Sequence, residues 1–267
     1  MFNEIRGSVR MRRPLIHCIT NPISITQCAN AVLAVGARPM MAEHPKEVGE
    51  ITETADALML NLGNITDIRM ESIRLSLQAA KEKQIPVILD AVGVACSALR
   101  RNFAYELFNT AVPTVIKGNY SEIHALDDRA YRSSGVDTDD SLNIADLDQA
   151  ALELAGKYQA VILASGKVDI VTDGKRLVHI KNGTKQLSTV TGTGCMLGAL
   201  CAAYLSVQPD IQAVIAACAV LGICGQLSET EKGGGSFMVN LMDSLSSVTD
   251  GEIERYLDME EVKIEEI

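Results

Sequence analysis

The sequence predicts an α/β fold of three layers, a mostly parallel sheet with helices on both faces. Short apolar runs of strand length alternate with longer segments whose apolar residues recur at helical spacing. Most of these runs end at an aspartate, glycine, asparagine or serine. Strands that alternate with helices build parallel sheets that are covered on both sides. Because the 267 residues contain no linker and no shift in composition, we predict one domain over residues 1–267.

The first half of the chain contains three clear strands. Asn21 before Pro22 is typical of a helix start, since asparagine caps a first turn and proline suits the first helical position. Gly36 then ends that helix. The other predicted elements are a strand or buried entry segment at 15–19, a short apolar piece at 40–41, a strand at 55–62, a helix at 66–83, a strand at 86–89, a helix at 99–109 and a strand at 112–116.

The second half adds a hairpin and two apolar helices. The segment Thr172-Asp173-Gly174-Lys175 lies between two short apolar runs, which is a hairpin signal. The acidic stretch 127–146 is predicted to be an exposed loop outside the site, because its charges would repel an anionic ligand. The remaining elements are a short helix through Glu122 and Ile123, a helix at 147–158, a strand at 160–164, hairpin strands at 169–171 and 177–180, a short strand at 187–190, two helices up to Leu227 and a helix capped by Ser236.

Composition excludes several classes of function. The formal charge of −10, the absence of Trp and the absence of any basic run longer than Arg12-Arg13 argue against a nucleic-acid partner. The seven cysteines form no Cys-x-x-Cys pair, which indicates a reducing cytoplasmic location and no zinc site. The longest apolar stretch, 211–227, is shorter than the roughly 20 residues of a membrane span, so we expect no membrane partner.

The ends of the predicted strands select the candidate site. In open α/β sheets, ligands bind beyond the carboxyl ends of the strands. This rule selects Asp90, Lys117-Gly118-Asn119 and Ser165-Gly166. It also selects the glycine stretch Thr191-Gly192-Thr193-Gly194-Cys195, and we expect all four segments to converge on one crevice.

The glycine stretch precedes an apolar helix. Its glycines let the backbone approach a ligand, and a helix start offers unpaired N–H groups and a positive dipole end. This combination favours an anion site, most often a phosphate site, with Thr193 and Gly194 among the residues that would face the phosphate. The alternative is a plain glycine turn before a core helix.

The other strand ends carry side chains that suit phosphoryl transfer. Asp90 and Glu122 are carboxylates placed where Mg²⁺ could bind, Lys117 could hold a phosphate, and Cys195 at a helix start is expected to have a lowered thiol pKa beside a substrate hydroxyl. The alternatives are a capping aspartate, a surface glutamate, a lysine at the sheet rim and a buried structural thiol. The Gly-Lys-Ser/Thr ending of a P-loop is absent.

A series of short motifs in order resembles the hydroxyethylthiazole kinase family and, more distantly, the ribokinase-like superfamily. The match runs almost end to end, and the series is far more specific than any one of its members. Its pieces are Ile19-Thr20-Asn21, Ala29-Asn30, Gly36 to Met41, Leu60-Asn61-Leu62-Gly63, Leu89 to Gly93, Lys117-Gly118-Asn119 with Glu122, Ser165-Gly166 with Asp169, and Val190 to Cys195.

The resemblance implies ATP-dependent phosphorylation of the hydroxyl of 4-methyl-5-(2-hydroxyethyl)thiazole, with Mg²⁺, in thiamine salvage. It also implies a homotrimer with active sites between subunits. The substrate pocket would contain Asn21, Met41 and Gly192. Lys117 and Ser165 would contact ATP, and Asp90 and Glu122 would serve the metal and the phosphates. Cys195 would be the catalytic residue, at the place where other ribokinase-like kinases carry an aspartate.

The chain departs from the family pattern at several of these positions. Many members have arginine at the place of Lys117, so the charge is kept but the bidentate fork is lost. The usual Asp-Pro-Val-Gly is Asp90-Ala91-Val92-Gly93 here, and Ser165 replaces a common threonine. Met40 beside Met41 puts a second flexible thioether near the pocket, which leaves the breadth of substrates open.

Three rival functions stay open at this point. Gly192, Gly194 and Gly198 resemble a dinucleotide-binding turn, although that fingerprint usually opens a domain. A second rival is a binding protein that has kept the fold without catalysis. A third is a ribokinase-like kinase for a hydroxymethylpyrimidine or pyridoxal. The presence of Cys195 in place of aspartate argues against this third rival.

Overall fold

The sheet is built from nine strands in the described part of the chain. A computed structural model describes residues 2–128, 130–131 and 143–264. The strands are β1 (Leu15–Ile19), β2 (Arg38–Met40), β3 (Ala57–Asn61), β4 (Val87–Asp90), β5 (Val115–Asn119), β6 (Val161–Ser165), β7 (Asp169–Thr172), β8 (Leu177–Ile180) and β9 (Met259–Val262). They lie in the order β2-β1-β3-β4-β5-β6-β7-β8-β9.

Helices connect most of these strands. The α-helices are α1 (Phe2–Arg12), α2 (Ile25–Ala34), α3 (Val48–Thr54), α4 (Asp67–Lys83), α5 (Ala98–Thr110), α6 (Tyr120–Asp127), α7 (Ile144–Tyr158), α8 (Thr193–Leu205), α9 (Ile211–Leu227), α10 (Gly234–Ser247) and α11 (Asp250–Tyr256). A 3₁₀ helix covers Lys185–Thr189. No helix within these described ranges is long and apolar enough to cross a membrane.

The pairing of the strands confirms the predicted mostly parallel sheet. Strands β2, β1, β3, β4, β5 and β6 pair in parallel, so their carboxyl ends lie along one edge. Strands β7 and β8 form the expected antiparallel hairpin, with Gly174 at φ +83° in its turn. Because β6 to β9 are antiparallel, the parallel edge that can hold a ligand ends at β6.

Two separate apolar cores lie on the two faces of the sheet, which confirms the three-layer architecture. Met59 points into the core formed with α1, α2, α8, α9 and α10. Its neighbours Leu58 and Leu60 point into the core formed with α4, α5, α6 and α7. This alternation is the period of two that a strand imposes on its side chains. Helix α9 is buried at nearly every position from Ile211 to Gly225, as expected for a helix that is apolar all round.

Two predicted helix starts and one predicted strand were wrong. Helix α2 begins at Ile25 rather than at Pro22, because the Asn21 side chain accepts the N–H groups of Ile23 and Ser24 in a turn before the helix. The predicted strand at 187–190 is the 3₁₀ helix. Ser236 does not cap α10, since that helix starts two residues earlier after Gly233, which has φ +108°.

Several other boundaries differ from the sequence interpretation. The strand predicted at 112–116 lies at 115–119, so Lys117 stands within the strand rather than after it. Helices α1, α3 and α11 and strand β9 were not predicted; α1 and β9 are mostly polar, which hides their apolar periodicity. Most of the acidic loop predicted at 127–146 lies outside the described residues, so its exposure and its distance from the site stay predictions.

Candidate active site

The predicted strand ends form a buried polar cluster at the carboxyl edge of the sheet. Asn61, Asp90 and Lys117 occupy the same register position on the neighbouring strands β3, β4 and β5. Lys117 Nζ donates to Asp90 Oδ1 over 2.8 Å, and Asn61 Nδ2 donates to Asp90 Oδ2 over 2.8 Å. All three residues are at most 3% exposed. The sheet register therefore converts three separate sequence positions into one contact network.

Asp90 and Lys117 form a buried ion pair. Burial raises the pKa of Asp90, while the charge of Lys117 and the hydrogen bonds from Lys117 and Asn61 act in the opposite direction. Burial lowers the pKa of Lys117, but the charge of Asp90 outweighs it and leaves this pKa above its ordinary value. We assign the ionised pair, since a neutral Asp90 would leave the ammonium uncompensated in the interior.

Glu122 ties the start of α6 to the loop after β4. The Asn119 side chain accepts the Glu122 N–H over 2.9 Å, and Glu122 Oε2 accepts the Asn119 N–H over 2.7 Å, which together form a capping box. Glu122 Oε1 accepts the N–H of Gly93 over 2.7 Å. Burial and the nearby charge of Asp90 raise the pKa of Glu122 to about 7. The side chain is therefore a structural tie that carries a readily titrated charge.

Cys195 lies in the first turn of α8, directly beside the cluster. Gly192, with φ +92°, precedes this helix, and a side chain there would be strained. The amide nitrogens of Asn21 and Asn61 each lie 3.3 Å from Cys195 Sγ. The turn before α2, the end of β3 and the start of α8 thus meet at this sulfur.

The predicted lowering of the Cys195 pKa was wrong. Burial and the charge of Asp90 raise the thiol pKa, against the opposing hydrogen bonds from Ser24 and Asn21 and the charge of Lys117. The helix-start effect on a thiol was the basis of the prediction. It is outweighed because the sulfur is largely removed from water and faces a carboxylate. Cys195 is accordingly a neutral thiol at pH 7.

The residues predicted to bind the substrate lie at two places. Asn21 belongs to the network, since its Nδ2 also donates to Asn61 Oδ1 over 3.2 Å. Gly192 packs close to Ser24, which a Cβ at Gly192 would approach to 3.2 Å. Met41 follows β2 and packs partly buried against the core that contains α2 and α8. The structure thus brings Asn21 and Gly192 to Cys195 and leaves Met41 on the neighbouring segment.

The residues predicted to bind ATP are grouped around Lys117. A Cβ at Gly194 would lie 3.9 Å from Lys117 Nζ, so the start of α8 faces the ammonium. Thr193 Oγ1 donates to the Leu187 carbonyl over 2.8 Å, so its hydroxyl proton is already engaged within the chain. Ser165 lies at the end of β6 and donates to the Gly118 carbonyl over 3.2 Å. Of these residues, Gly194 and Lys117 face each other most directly.

Sequence reasoning gave no role to three residues that organise the site. Asn61 was quoted only as part of a motif, although its position at a strand end was a usable signal. His17 is buried, and its Nε2 lies 2.9 Å from the Ala42 carbonyl beside Met41. Tyr120 packs under the turn after β6. Neither of the last two has a sequence signal, because each acts through a contact that only the fold creates.

The comparisons with known proteins agree with one another. The model of the hydroxyethylthiazole kinase family matches residues 7–251. "Hydroxyethylthiazole kinase 2" of Clostridium botulinum is 44% identical over 252 residues, which cover 92% of this chain and 95% of that protein. A solved structure of a hydroxyethylthiazole kinase protein from Pyrococcus horikoshii is 32% identical with a TM-score of 0.89, covering 98% of this chain and 99% of that one. A ribokinase-like superfamily protein from Enterococcus faecalis shares the fold alone, with a TM-score of 0.68 at 12% identity over 96% of this chain and 95% of that chain.

Proposed function

The chain belongs to the hydroxyethylthiazole kinase family, and we propose that it transfers the γ-phosphoryl group of ATP to the hydroxyl of 4-methyl-5-(2-hydroxyethyl)thiazole in thiamine salvage. One observation carries the assignment of the site. The start of α8 places Cys195 and a run of helix N–H groups against the buried Asp90–Lys117 pair. An acceptor hydroxyl and a phosphoryl group therefore have adjacent places at one sheet edge.

The start of α8 supports binding of the transferred group. The first intrahelical bond runs from the Met196 N–H to the Gly192 carbonyl over 2.8 Å. The N–H groups of Thr193, Gly194 and Cys195 precede it and have no partner within the helix, as at any helix start. Together with the Lys117 ammonium they stabilise the negative charge on the phosphoryl oxygens.

Cys195 orients the acceptor hydroxyl in this proposal. A thiol with a raised pKa is protonated at pH 7 and takes no further proton. In a loose phosphoryl-transfer transition state, little charge builds on the attacking oxygen until late. The new P–O bond forms as the bond to ADP breaks, and the hydroxyl proton passes to a phosphoryl oxygen and then to solvent. Asn21 and Asn61 hold the sulfur in place through their amide nitrogens.

The carboxylates Asp90 and Glu122 fit a magnesium ion. These two carboxylates outnumber the Lys117 ammonium beside them, and burial together with the charge of Asp90 raises the pKa of Glu122. Each carboxylate oxygen accepts one hydrogen bond and keeps a lone pair. Within the described ranges no three acidic, histidine or cysteine side chains form a metal-binding group, so phosphate oxygens and water would complete the shell. Such an ion neutralises phosphate charge during transfer.

We also propose a cytoplasmic homotrimer of single-domain subunits with active sites between them. Apolar side chains are exposed next to the site, with Ile23 at 60% and Met40 at 36%. Strand β2 is a short open edge that a second copy could cover. The seven cysteines are free, which suits a reducing compartment. Light scattering of the purified protein measures the assembly, and Ile23→Glu should dissociate it.

Turnover of a substrate panel tests the function. The thiazole alcohol, a hydroxymethylpyrimidine and pyridoxal are each incubated with ATP and Mg²⁺, and ADP release is measured alongside an NAD(P)H absorbance assay. We expect the highest kcat/KM for the thiazole alcohol. A preference for pyridoxal or the pyrimidine would assign a different kinase, and an absorbance change with a nicotinamide cofactor would replace the kinase proposal.

A further inference from the structure

We propose that Tyr120 is a positioning residue for the nucleotide, acting through the turn 165–169 that joins β6 to β7. This inference rests on the proposed function, because it assumes that Ser165 at the start of this turn contacts ATP. It adds a residue that carries none of the chemistry itself. Three contacts of the turn support it.

The Tyr120 hydroxyl binds both backbone groups of one turn residue. It donates to the Val168 carbonyl over 2.5 Å and accepts the Val168 N–H over 3.0 Å. The residue is 3% exposed, so its ring is fixed by the core around α6 and α7. One buried side chain therefore fixes the position of the turn relative to the edge of the sheet.

The ring of the same tyrosine packs against Gly166. A Cβ at Gly166 would lie 2.3 Å from Tyr120 Cζ and 2.5 Å from its Cε1, which no real side chain tolerates. The turn thus lies flat on the ring because residue 166 has no side chain. Asp169 closes the turn from its other end, since its Oδ1 accepts the Gly166 N–H over 3.0 Å.

The turn belongs to the same sheet edge as the proposed phosphate site. Ser165 pairs in register with Asn119 on β5. Asn119 directly precedes Tyr120 and follows Lys117 by two residues. Burial raises the pKa of Asp169 to about 6, while the hydrogen bond from Gly166 and the charge of Lys117 act in the opposite direction. Tyr120 consequently fixes the turn relative to Lys117 through one short segment of chain.

The change Tyr120→Phe tests this role. It keeps the ring and removes both hydrogen bonds to Val168, so the turn must be ordered at the moment ATP binds. We expect the KM and the Kd for ATP to rise about three- to thirtyfold, as expected for one or two lost hydrogen bonds. The KM for the thiazole alcohol should stay within about twofold. Tyr105→Phe is the matched control, because that hydroxyl donates to the Leu126 carbonyl over 2.9 Å, on α6 but away from the turn.

A double variant tests the packing separately. Gly166→Ala should weaken ATP binding in the parent and cost less in a Tyr120→Ala background, where the ring no longer obstructs the new methyl group. Direct titration of ATP by calorimetry separates the outcomes. If ATP binds but the thiazole alcohol is not phosphorylated, the proposed function fails and the Tyr120 comparison still stands. Equal changes in both KM values, or a change in thermal stability with an unaltered ATP Kd, would overturn the positioning role, as would a parent protein that does not bind ATP.

Discussion

The buried pair of Asp90 and Lys117 makes the sharpest quantitative prediction. In Lys117→Met, a neutral side chain of similar length leaves Asp90 fully buried with Asn61 as its remaining partner. Removing one member of a buried ion pair costs about 3–5 kcal/mol, because the other charge stays desolvated. An ordinary domain has only about 5–15 kcal/mol of stability in total. We therefore expect a large fall in the free energy of unfolding.

The same reasoning fixes how this loss depends on pH. Burial already raises the pKa of Asp90, and Lys117 is the main influence that opposes the rise. Without Lys117 the folded-state pKa moves further above the unfolded value of about 3.9. The folded protein then binds more protons than the unfolded chain, so stability falls as pH rises through the folded-state pKa. The deficit of Lys117→Met should be smaller at pH 5 than at pH 8.

Urea unfolding followed by circular dichroism at pH 5 to 8 measures both effects. The double variant Lys117→Met with Asp90→Asn should recover most of the stability, because no uncompensated charge remains. Lys81→Met is the control, since Lys81 donates to an exposed carbonyl of Thr110 and should cost little. A deficit below about 1 kcal/mol without pH dependence would show that Asp90 is neutral in the parent and would refute the ion pair. Turnover adds the functional side, with Lys117→Ala about ten- to a hundredfold poorer in efficiency and Lys117→Arg tolerated.

Three further predictions concern side chains around this pair. Glu122→Gln should lower turnover and raise the Mg²⁺ concentration that gives the half-maximal rate. The parent should need more Mg²⁺ as pH falls from 8 to 6, because the Glu122 carboxylate, with its pKa of about 7, becomes protonated. An equal Mg²⁺ requirement in both proteins would contradict the assignment of Glu122 to the metal. With saturating ATP, Cys195→Ala should be impaired yet active and Cys195→Asp should stay active, whereas an Ala variant equal to the parent would make the thiol structural. His17→Asn should raise the KM for the thiazole alcohol several-fold and leave that for ATP unchanged, because His17 holds the Ala42 carbonyl beside Met41; a shift in both KM values would mean a general loss of structure.

The periodicity of apolar residues alone predicted the elements of the fold whose burial pattern is regular. Strands such as Ala57–Asn61 are buried at every position, and α4 covers Asp67–Lys83 with Thr66 as its N-cap, within one residue of the predicted helix at 66–83. Elements at the edge of the fold were not predicted, because their sequences are mostly polar. Strand β9 carries Glu260 and Glu261, which pair with Lys181 and Arg176 across the sheet edge, and no local pattern shows those partners.

The sequence selected the residues of the candidate site, but it did not give the contacts among them. The rule that ligands bind at strand ends selected Asp90 and Lys117 as separate groups. Their pairing depends on the register of β4 against β5, which the sequence does not specify. The error on Cys195 has the same origin, since a helix start lowers a thiol pKa only where burial does not outweigh it. The sequence indicated which side chains could take part in the chemistry, but their electrostatic environment could be determined only from the fold.

The amide network predicts that a carboxylate could replace the neutral thiol at position 195. The two protons of Asn21 Nδ2 go to Asn61 Oδ1 and Cys195 Sγ, and those of Asn61 Nδ2 go to Asp90 Oδ2 and Cys195 Sγ. Two N–H donors therefore already point at this position and would satisfy a carboxylate as well. A second anion beside Asp90 would cost stability in the empty site and would meet the incoming phosphates with like charge. The thiol avoids that repulsion and gives up the ability to accept a proton, which a loose transition state requires only late.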